Sequence, residues 1–450
     1  MYDPKNITSG IPLLPFNNQV GGHTSIFRFT KKTICKPASQ KEQEVYVYLD
    51  SHHPELLPFL SQYLGVLNVT YQLDLLPEVI FEKNEKLLDD WKSIYSDMAH
   101  SPTSDILEQD FQQWSPNADE CNSRFKAFRN RVLYEALNPN ALKERIQIVR
   151  AWNKENCAMT ITSKRPSIIT STTSAPQSPR LSAIDTNETK TTSLTSVPLA
   201  LDDPPSSPPQ PTCSTSSTAR WQPRRVPNNP WSQQVYEKDI QKLKQLVEKN
   251  QVMKQFILLE DLTDEVQYPC VLDLKMGTRQ HGVYADEKKA LSQTKKCAKS
   301  TSAQLGVRVC GMQVYKEGEC VFYDKYSGRQ LTPATFRQTL ERYLNHPQQL
   351  EQIPVLLRKL SRLSRIIRSL KGYRFYGSSL LIIYDASGKR NKIDVRMIDF
   401  AKTLTPDQDN SHFSCPPEQP NDPDHGYLLG LKSLVDCFTS IYNDHHTIDI

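Results

Sequence analysis

Residues 269–282 read PCVLDLKMGTRQHG. Pro269 to Met276 are apolar apart from Asp273 and Lys275, and Gly277 ends the run, which predicts a buried strand closed by a turn. Alternate side chains of an extended chain share a face, so Asp273 and Lys275 point the same way. An acid and a lysine together beside a glycine can position an acceptor oxygen and neutralise a moving phosphoryl group.

Working outward, KQFILLEDL (254–262) is an apolar strand that stops abruptly at acids. VRVCGMQVY (307–315), SSLLIIYD (378–385) and VRMIDFA (395–401) read as further strands, with helices at 333–345 and 354–371. In the second helix Leu360, Leu363, Ile367 and Leu370 turn inward and the arginines form a solvated face. Toward the N-terminus, QVGGHTSIFRFT (19–30) and TICKP (33–37) form a glycine-bearing hairpin. A helix begins in KEQEVYVYLD (41–50), and VTYQLDLLP (69–77) reads as a strand. NNPWSQQVYEKDIQKLKQLVEKN (228–250) predicts a helix capped by Ser232, with Val235, Leu243, Leu246 and Val247 on one face. Strands followed by mixed helices and strands imply two unequal α+β lobes. The expected division is 11–95 and 226–265 for the first lobe and 266–450 for the second.

Between the two pieces of the first lobe, 96–225 changes character. The part at 160–218 is rich in Ser, Thr and Pro, and such a composition cannot offset its ordering entropy, so a large disordered insertion is expected. Within it, 123–152 has helical periodicity, either a short helical pair or an element that folds on a protein partner.

The 450 residues carry 55 basic and 50 acidic side chains, formally +5, with 31 Pro and 15 Gly. That balance argues against a polybasic nucleic-acid binder but leaves room for a local basic site. The ten cysteines form no CxxC pair, which disfavours a zinc ribbon and suits a reduced compartment, the cytoplasm or nucleus. No secretory leader or membrane span is expected.

Neither a GxxxxGK[ST] loop nor a GxGxxG loop occurs, and there is no HRD catalytic loop. Other residues nevertheless supply the parts that phosphoryl transfer requires. Lys36, on a strand under the Gly21–Gly22 turn, is either an ordinary surface lysine or a ligand of ATP phosphates, with Glu42 the nearest acid to orient it. Glu260 and Asp261 stand where a strand enters a connector, a place for adenine and ribose, although turns use such acids too. Asp399 is one acid inside an apolar strand; it is either salt-bridged or bound to a cation. Ser379 lies within reach of such a cation or is a plain strand residue. In ADEKKALSQTKKCAKST (285–301), Lys288, Lys289, Lys295, Lys296 and Lys299 fall within about a third of a turn at ~100° per residue, opposite Ala290, Leu291, Thr294, Cys297 and Ala298. A face of one charge favours an anionic ligand over bulk water.

At this point the chain resembles the inositol polyphosphate kinases. PCVLDLKMG matches their PxxxDxKxG signature, and SSLL and IDFA match later motifs in order. QVGGHTSIFRF, NPWS, FILLEDL, GTRQHG and STSAQLGVRVCGMQVY are closest to the inositol hexakisphosphate kinases. The resemblance covers about 15–75 and 226–440. It implies a protein-kinase-like two-lobed fold, with ATP and Mg2+ as cofactors and inositol hexakisphosphate as acceptor. It also implies roles: Lys36 for ATP phosphates, Glu260 and Leu262 for adenine, Asp261 for ribose, Asp273 and Lys275 for the inositol phosphate, and Asp399 for magnesium. Relatives often carry an acid where Val47 stands, which leaves Glu42 as the expected partner of Lys36.

Overall fold

The computed structural model describes residues 11–71, 77–80, 83–84, 229–247, 253–264, 266–316, 319–344, 346–389, 392–406 and 421–446, with single positions between 130 and 147. The Ser/Thr/Pro-rich stretch and the bulk of 123–152 lie outside them, as do the side chains of Leu243, Leu246 and Val247.

Strands β1 (Ile11–Pro12), β2 (Leu14–Pro15), β3 (Phe27–Arg28), β4 (Thr33–Pro37), β5 (Tyr63–Thr70), β6 (Glu78–Val79) and β7 (Met253–Glu260) make one antiparallel sheet in the order β1-β6-β5-β7-β4-β3-β2. β7 lies in the middle, and Phe256 to Leu259 are buried on both faces. One face packs Phe256 and Leu258 on Phe27, Phe29, Cys35, Leu67 and Val69. The other packs Ile257 and Leu259 on Val45, Tyr46 and Leu49 of helix α1 (Gln40–His52). One expectation lies largely outside the described residues and one needs correction. Of the strand expected at 69–77, residues 69 and 70 fall in β5, whose Leu64, Leu67 and Val69 supply the buried face, and 72–76 are not described. Helix α2 (Pro230–Val247) is capped by Asn229, whose Oδ1 accepts from the Trp231 and Ser232 amides; the Ser232 hydroxyl instead donates to the Phe16 carbonyl.

The second sheet is built from β8 (Pro269–Met276), β9 (Val307–Lys316), β10 (Glu319–Tyr323), β11 (Ser379–Asp385) and β12 (Ile393–Ile398), in the order β10-β9-β8-β11-β12. Helices α3 (Glu287–Ala298), α4 (Lys325–Gln330), α5 (Pro333–Tyr343), α6 (Ile353–Ser369) and α7 (His425–His446) accompany it. Cys270, Leu272, Leu274 and Met276 share a core with Phe336 and Leu340 of α5, Leu356, Leu360, Leu363 and Ile367 of α6, and Leu431, Leu434 and Phe438 of α7. Each such fully buried side chain contributes about 1.5–3 kcal/mol. The opposite face of β8 carries Val271, Asp273 and Lys275, in register with Ile383, Leu381 and Ser379 of β11 and with Gln313, Gly311 and Arg308 of β9. The architecture is thus α+β with two sheets. Among the described residues no helix is long and apolar enough to cross a membrane.

Candidate active site

The face of β8 opposite the helices meets the first sheet at a chain of four charges. Lys36 Nζ donates to Glu42 Oε1 at 2.8 Å and to Asp399 Oδ1 at 3.0 Å. Lys275 Nζ donates to Asp399 Oδ2 at 2.8 Å and to the Gly377 carbonyl at 2.7 Å. Glu42, in the first turn of α1, also accepts the Phe400 amide at 3.1 Å, so one carboxylate braces both lysine and loop. The expected Lys36–Glu42 pairing therefore forms, and Val47 is exposed. Burial opposes the charge on Lys36, but Asp399 and Glu42 outweigh it and hold the ammonium above its ordinary value. Burial likewise opposes ionisation of Asp399, yet Lys275 and then Lys36 hold its carboxyl far below the usual range.

Asp399 does not lie inside a strand as expected. β12 ends at Ile398, and Asp399 has φ 69°, the left-handed region that Asp and Asn enter more readily than other side chains. This break in the ladder is what turns the carboxylate across to both lysines.

Asp273 and Lys275 do share a face, but Asp273 is roofed over. A Cβ on Gly21 would overlap Asp273 Oδ2, and one on Gly311 would overlap the Val20 carbonyl, so only glycines let the 20–22 loop lie on the sheet. Burial raises the Asp273 carboxyl above its ordinary value, partly offset by Lys275. Its Oδ1 and the hydroxyl of Ser379 are buried with no well-formed hydrogen bond among the described residues, although Ser379 and Cys310 lie close enough to favour the ionised carboxylate.

Positive charge surrounds this line. Arg308, the register partner of Lys275, is buried and bonds the Ser302 hydroxyl at 3.0 Å, with no carboxylate in ion-pair distance among the described residues. The reasoning that singled out Asp399, a lone charge in an apolar strand, applies equally to VRVCG and could have found it. Lys402 is lowered by burial and by the neighbouring Lys275 and Lys289, and Lys296 acts on His23 of the glycine loop. The α3 helix forms as expected with these lysines on it, and Lys289 and Lys296 lie near enough to act on Lys402 and His23. Lys288, Lys295 and Lys299 are exposed on the same helix or at its C-terminal cap. Its opposite side differs from expectation: only Cys297 is buried and Leu291 is 56% exposed, because α3 is attached chiefly through its C-terminal end.

At the end of β7, the Glu260 carboxylate accepts the Gln62 amide and its carbonyl accepts the Ser61 hydroxyl. Asp261 departs from the ribose role. Its side chain is fully enclosed, with Arg28 at 2.7 Å on one oxygen and the Thr263 amide and hydroxyl on the other. It shapes the connector. Leu262 packs with Leu381 against Val20, Val271 and Ile383, an apolar group flanking the charged line.

The family model for inositol polyphosphate kinase matches residues 256–439. Human inositol hexakisphosphate kinase 3 is 31% identical, with 96% of each chain covered. Rabbit inositol hexakisphosphate kinase 2 is 30% identical over 97% of this chain and 96% of its own. The chain belongs to the inositol polyphosphate kinase family. Among solved structures, an inositol phosphate multikinase from S. cerevisiae in complex with ADP and Mn2+ is 21% identical, covering 42% of this chain and 84% of that one at a TM-score of 0.36. As a member of a kinase family, this chain has to bring a phosphoryl donor and an anionic acceptor together, and the Lys36–Asp399–Lys275 line is where its charges converge.

Among the described residues no three His, Cys, Asp or Glu side chains gather as a closed metal site. The donor set fits a hard cation carried on phosphates: Asp399 is 35% exposed, and Asp273 Oδ1 and the Ser379 hydroxyl are neighbouring buried oxygens with no well-formed hydrogen bond among the described residues. Magnesium characteristically takes one or two carboxylates and completes its shell with phosphate and water.

Proposed function

We propose that the chain transfers the γ-phosphoryl group of ATP to a phosphate of inositol hexakisphosphate, and of the pentakisphosphate, giving diphosphoinositol phosphates. The observation that carries this reading is the excess of cations at the site. Lys36, Lys275, Arg308, Lys402, Lys289 and Lys296 converge on few acids, which suits two polyanions brought together. The near full-length likeness to proteins named inositol hexakisphosphate kinases supports the same acceptor.

The chemistry follows from the acceptor. A phosphate oxygen is already ionised near neutral pH, so no general base is required and repulsion between substrates is the barrier. Lys36 would hold ATP phosphates, and Lys275 would neutralise the transferred group as charge moves. Asp273, raised by burial and roofed by Gly21, would orient the neighbouring lysine and acceptor. Asp399 would hold magnesium with help from Asp273 or Ser379; the ion supplies charge neutralisation on the phosphates when bound. The adenine would lie against Leu262, Val20, Val271 and Ile383, reading the Glu260 and Leu262 backbone.

The test is a substrate panel with ATP and Mg2+. Formation of a pyrophosphate from the hexakisphosphate is expected. Phosphorylation of the trisphosphate, with the hexakisphosphate untouched, would favour a multikinase acting on ring hydroxyls.

A further inference from the structure

The glycine loop is stiff within itself. The Gln19 amide nitrogen donates to the Gly21 and Thr24 carbonyls at 2.9 and 2.8 Å, and its oxygen accepts the Ile26 amide at 3.1 Å. A loop braced in this way moves as one piece, so the few bonds at its rim decide whether it lies on the sheet. One is the Ser25 amide, which donates to Asp239 of α2 at 2.6 Å. Others reach across to the second sheet: Gln313 of β9 donates to Asn18 Oδ1 at 3.3 Å, the Gly22 amide meets Cys310 of β9, and Lys325 Nζ, at the start of α4, lies 2.8 Å from His23 Nδ1.

That pair is unusual chemically. Lys325 is buried to 7% exposure, and no carboxylate lies within ion-pair distance of it among the described residues. Its charge rests on the His23 lone pair and on the faces of Trp231 at 4.6 Å and Tyr326 at 5.4 Å. An ammonium has only donors, so His23 Nδ1 has to be the acceptor, and the imidazole is neutral with its proton on Nε2. α4 itself sits tight on β9, because a Cβ on Gly328 would overlap the Val309 carbonyl. Lys325 is thus a fixed post.

We propose that His23 is a positioning residue for phosphoryl transfer: its neutral imidazole, held by Lys325, ties the glycine loop to the second sheet and keeps Gly21 seated over Asp273. The tie exists only while Nδ1 is free to accept. Partial burial first, and then the cations an imidazolium at position 23 would face, Lys325 and Arg329 from α4, Lys275 from β8 and Lys296 from α3, hold the imidazole below its ordinary value. The sign is therefore fixed. A group depressed in the closed loop favours closure above its ordinary value of 6.5, and closure is lost as the pH falls below it.

The test compares His23→Ala with His23→Asn, whose amide oxygen stands near the Nδ1 position and does not titrate. Two readouts are taken on the full chain. The first is backbone hydrogen exchange of residues 20–26 without substrates, normalised to the intrinsic rate at each pH. The second is the pH profile of kcat/KM for ATP. His23→Ala should exchange about tenfold faster and lose about tenfold in kcat/KM at pH 8, the size of one lost charge-assisted hydrogen bond. His23→Asn should stay within about threefold of wild type on both and lose the acid limb that His23 sets below 6.5. Wild-type exchange in His23→Ala, or an unchanged acid limb in His23→Asn, overturns the proposal. The kinetic readout rests on the kinase reading and the exchange readout does not. A wild-type protein inactive on every inositol phosphate would overturn the proposed function, and loop exchange alone would then decide the role of His23.

Discussion

Replacing Asp399 by Asn isolates the charge at the centre of the site. Asn enters the left-handed region about as readily as Asp, so the φ of 69° is kept without added strain. The carboxylate accepts one bond from Lys36 and one from Lys275, at 3.0 and 2.8 Å. Each charge-assisted bond contributes about 1.5–3 kcal/mol. The amide oxygen can still serve one lysine, and the side chain is 35% exposed, so water re-solvates part of what is lost. The net cost to folding should be about 1–3 kcal/mol, a fall in Tm of roughly 2–10 °C. Turnover should suffer far more. The lost charge organises both lysines and would hold the metal, and removing a comparable preorganised group costs about 10²–10³ in kcat. The assay is single-turnover transfer from ATP to inositol hexakisphosphate across a magnesium titration, with Tm measured in parallel. A kcat within tenfold of wild type at any magnesium concentration, with Tm lowered, would leave Asp399 a structural salt bridge and refute its catalytic assignment.

Three further outcomes follow from the same geometry. Gly21→Ala places a methyl group into Asp273 Oδ2; lifting the loop should cost about 10–100-fold in kcat/KM for ATP, the range for overpacking, with Tm within a few degrees of wild type. Glu42→Gln keeps an acceptor for the Phe400 amide but removes the charge beside Lys36, so KM for ATP should rise about tenfold while kcat changes less; the reverse split would argue against Lys36 as the ATP ligand. Arg308→Met replaces a buried guanidinium that no carboxylate among the described residues pairs with, so Tm should hold or rise while acceptor KM climbs; a large fall in Tm would make Arg308 a structural cation instead.

The residues of the site were more legible than their arrangement. Lys36, Asp273, Lys275 and Asp399 are few charges in apolar runs of sequence, and period-two alternation places Asp273 and Lys275 on one face. Glu42 could be reached as the nearest acid on the following helix. What pattern does not encode is how closely backbones approach. Nothing local says that Gly21 rests on Asp273, or that β12 stops one residue before Asp399. Local spacing also favoured Ser232 as a cap, whereas Asn229 preceding Pro230 takes that place and frees the serine to reach Phe16. Asp261 was read as a ribose ligand or a turn acid, because its partner Arg28 is distant in sequence. His23 and Lys325 are invisible for the same reason: each is an unremarked polar residue until the fold sets them together.

The position of β7 bears on how this chain comes to be made. β7 pairs with β5 on one side and β4 on the other, yet it is synthesised long after both. At about 5–20 residues per second, the ribosome needs roughly 10–35 s between Val79 and Met253. Through that interval β4 and β5 each wait with one edge unfilled, the arrangement most prone to pairing with a stranger. The wait is long in time but cheap in equilibrium terms, since each doubling of a closing loop adds only about 0.6 kcal/mol. Synthesis rate and chaperone supply, more than final stability, should therefore set the yield of active enzyme.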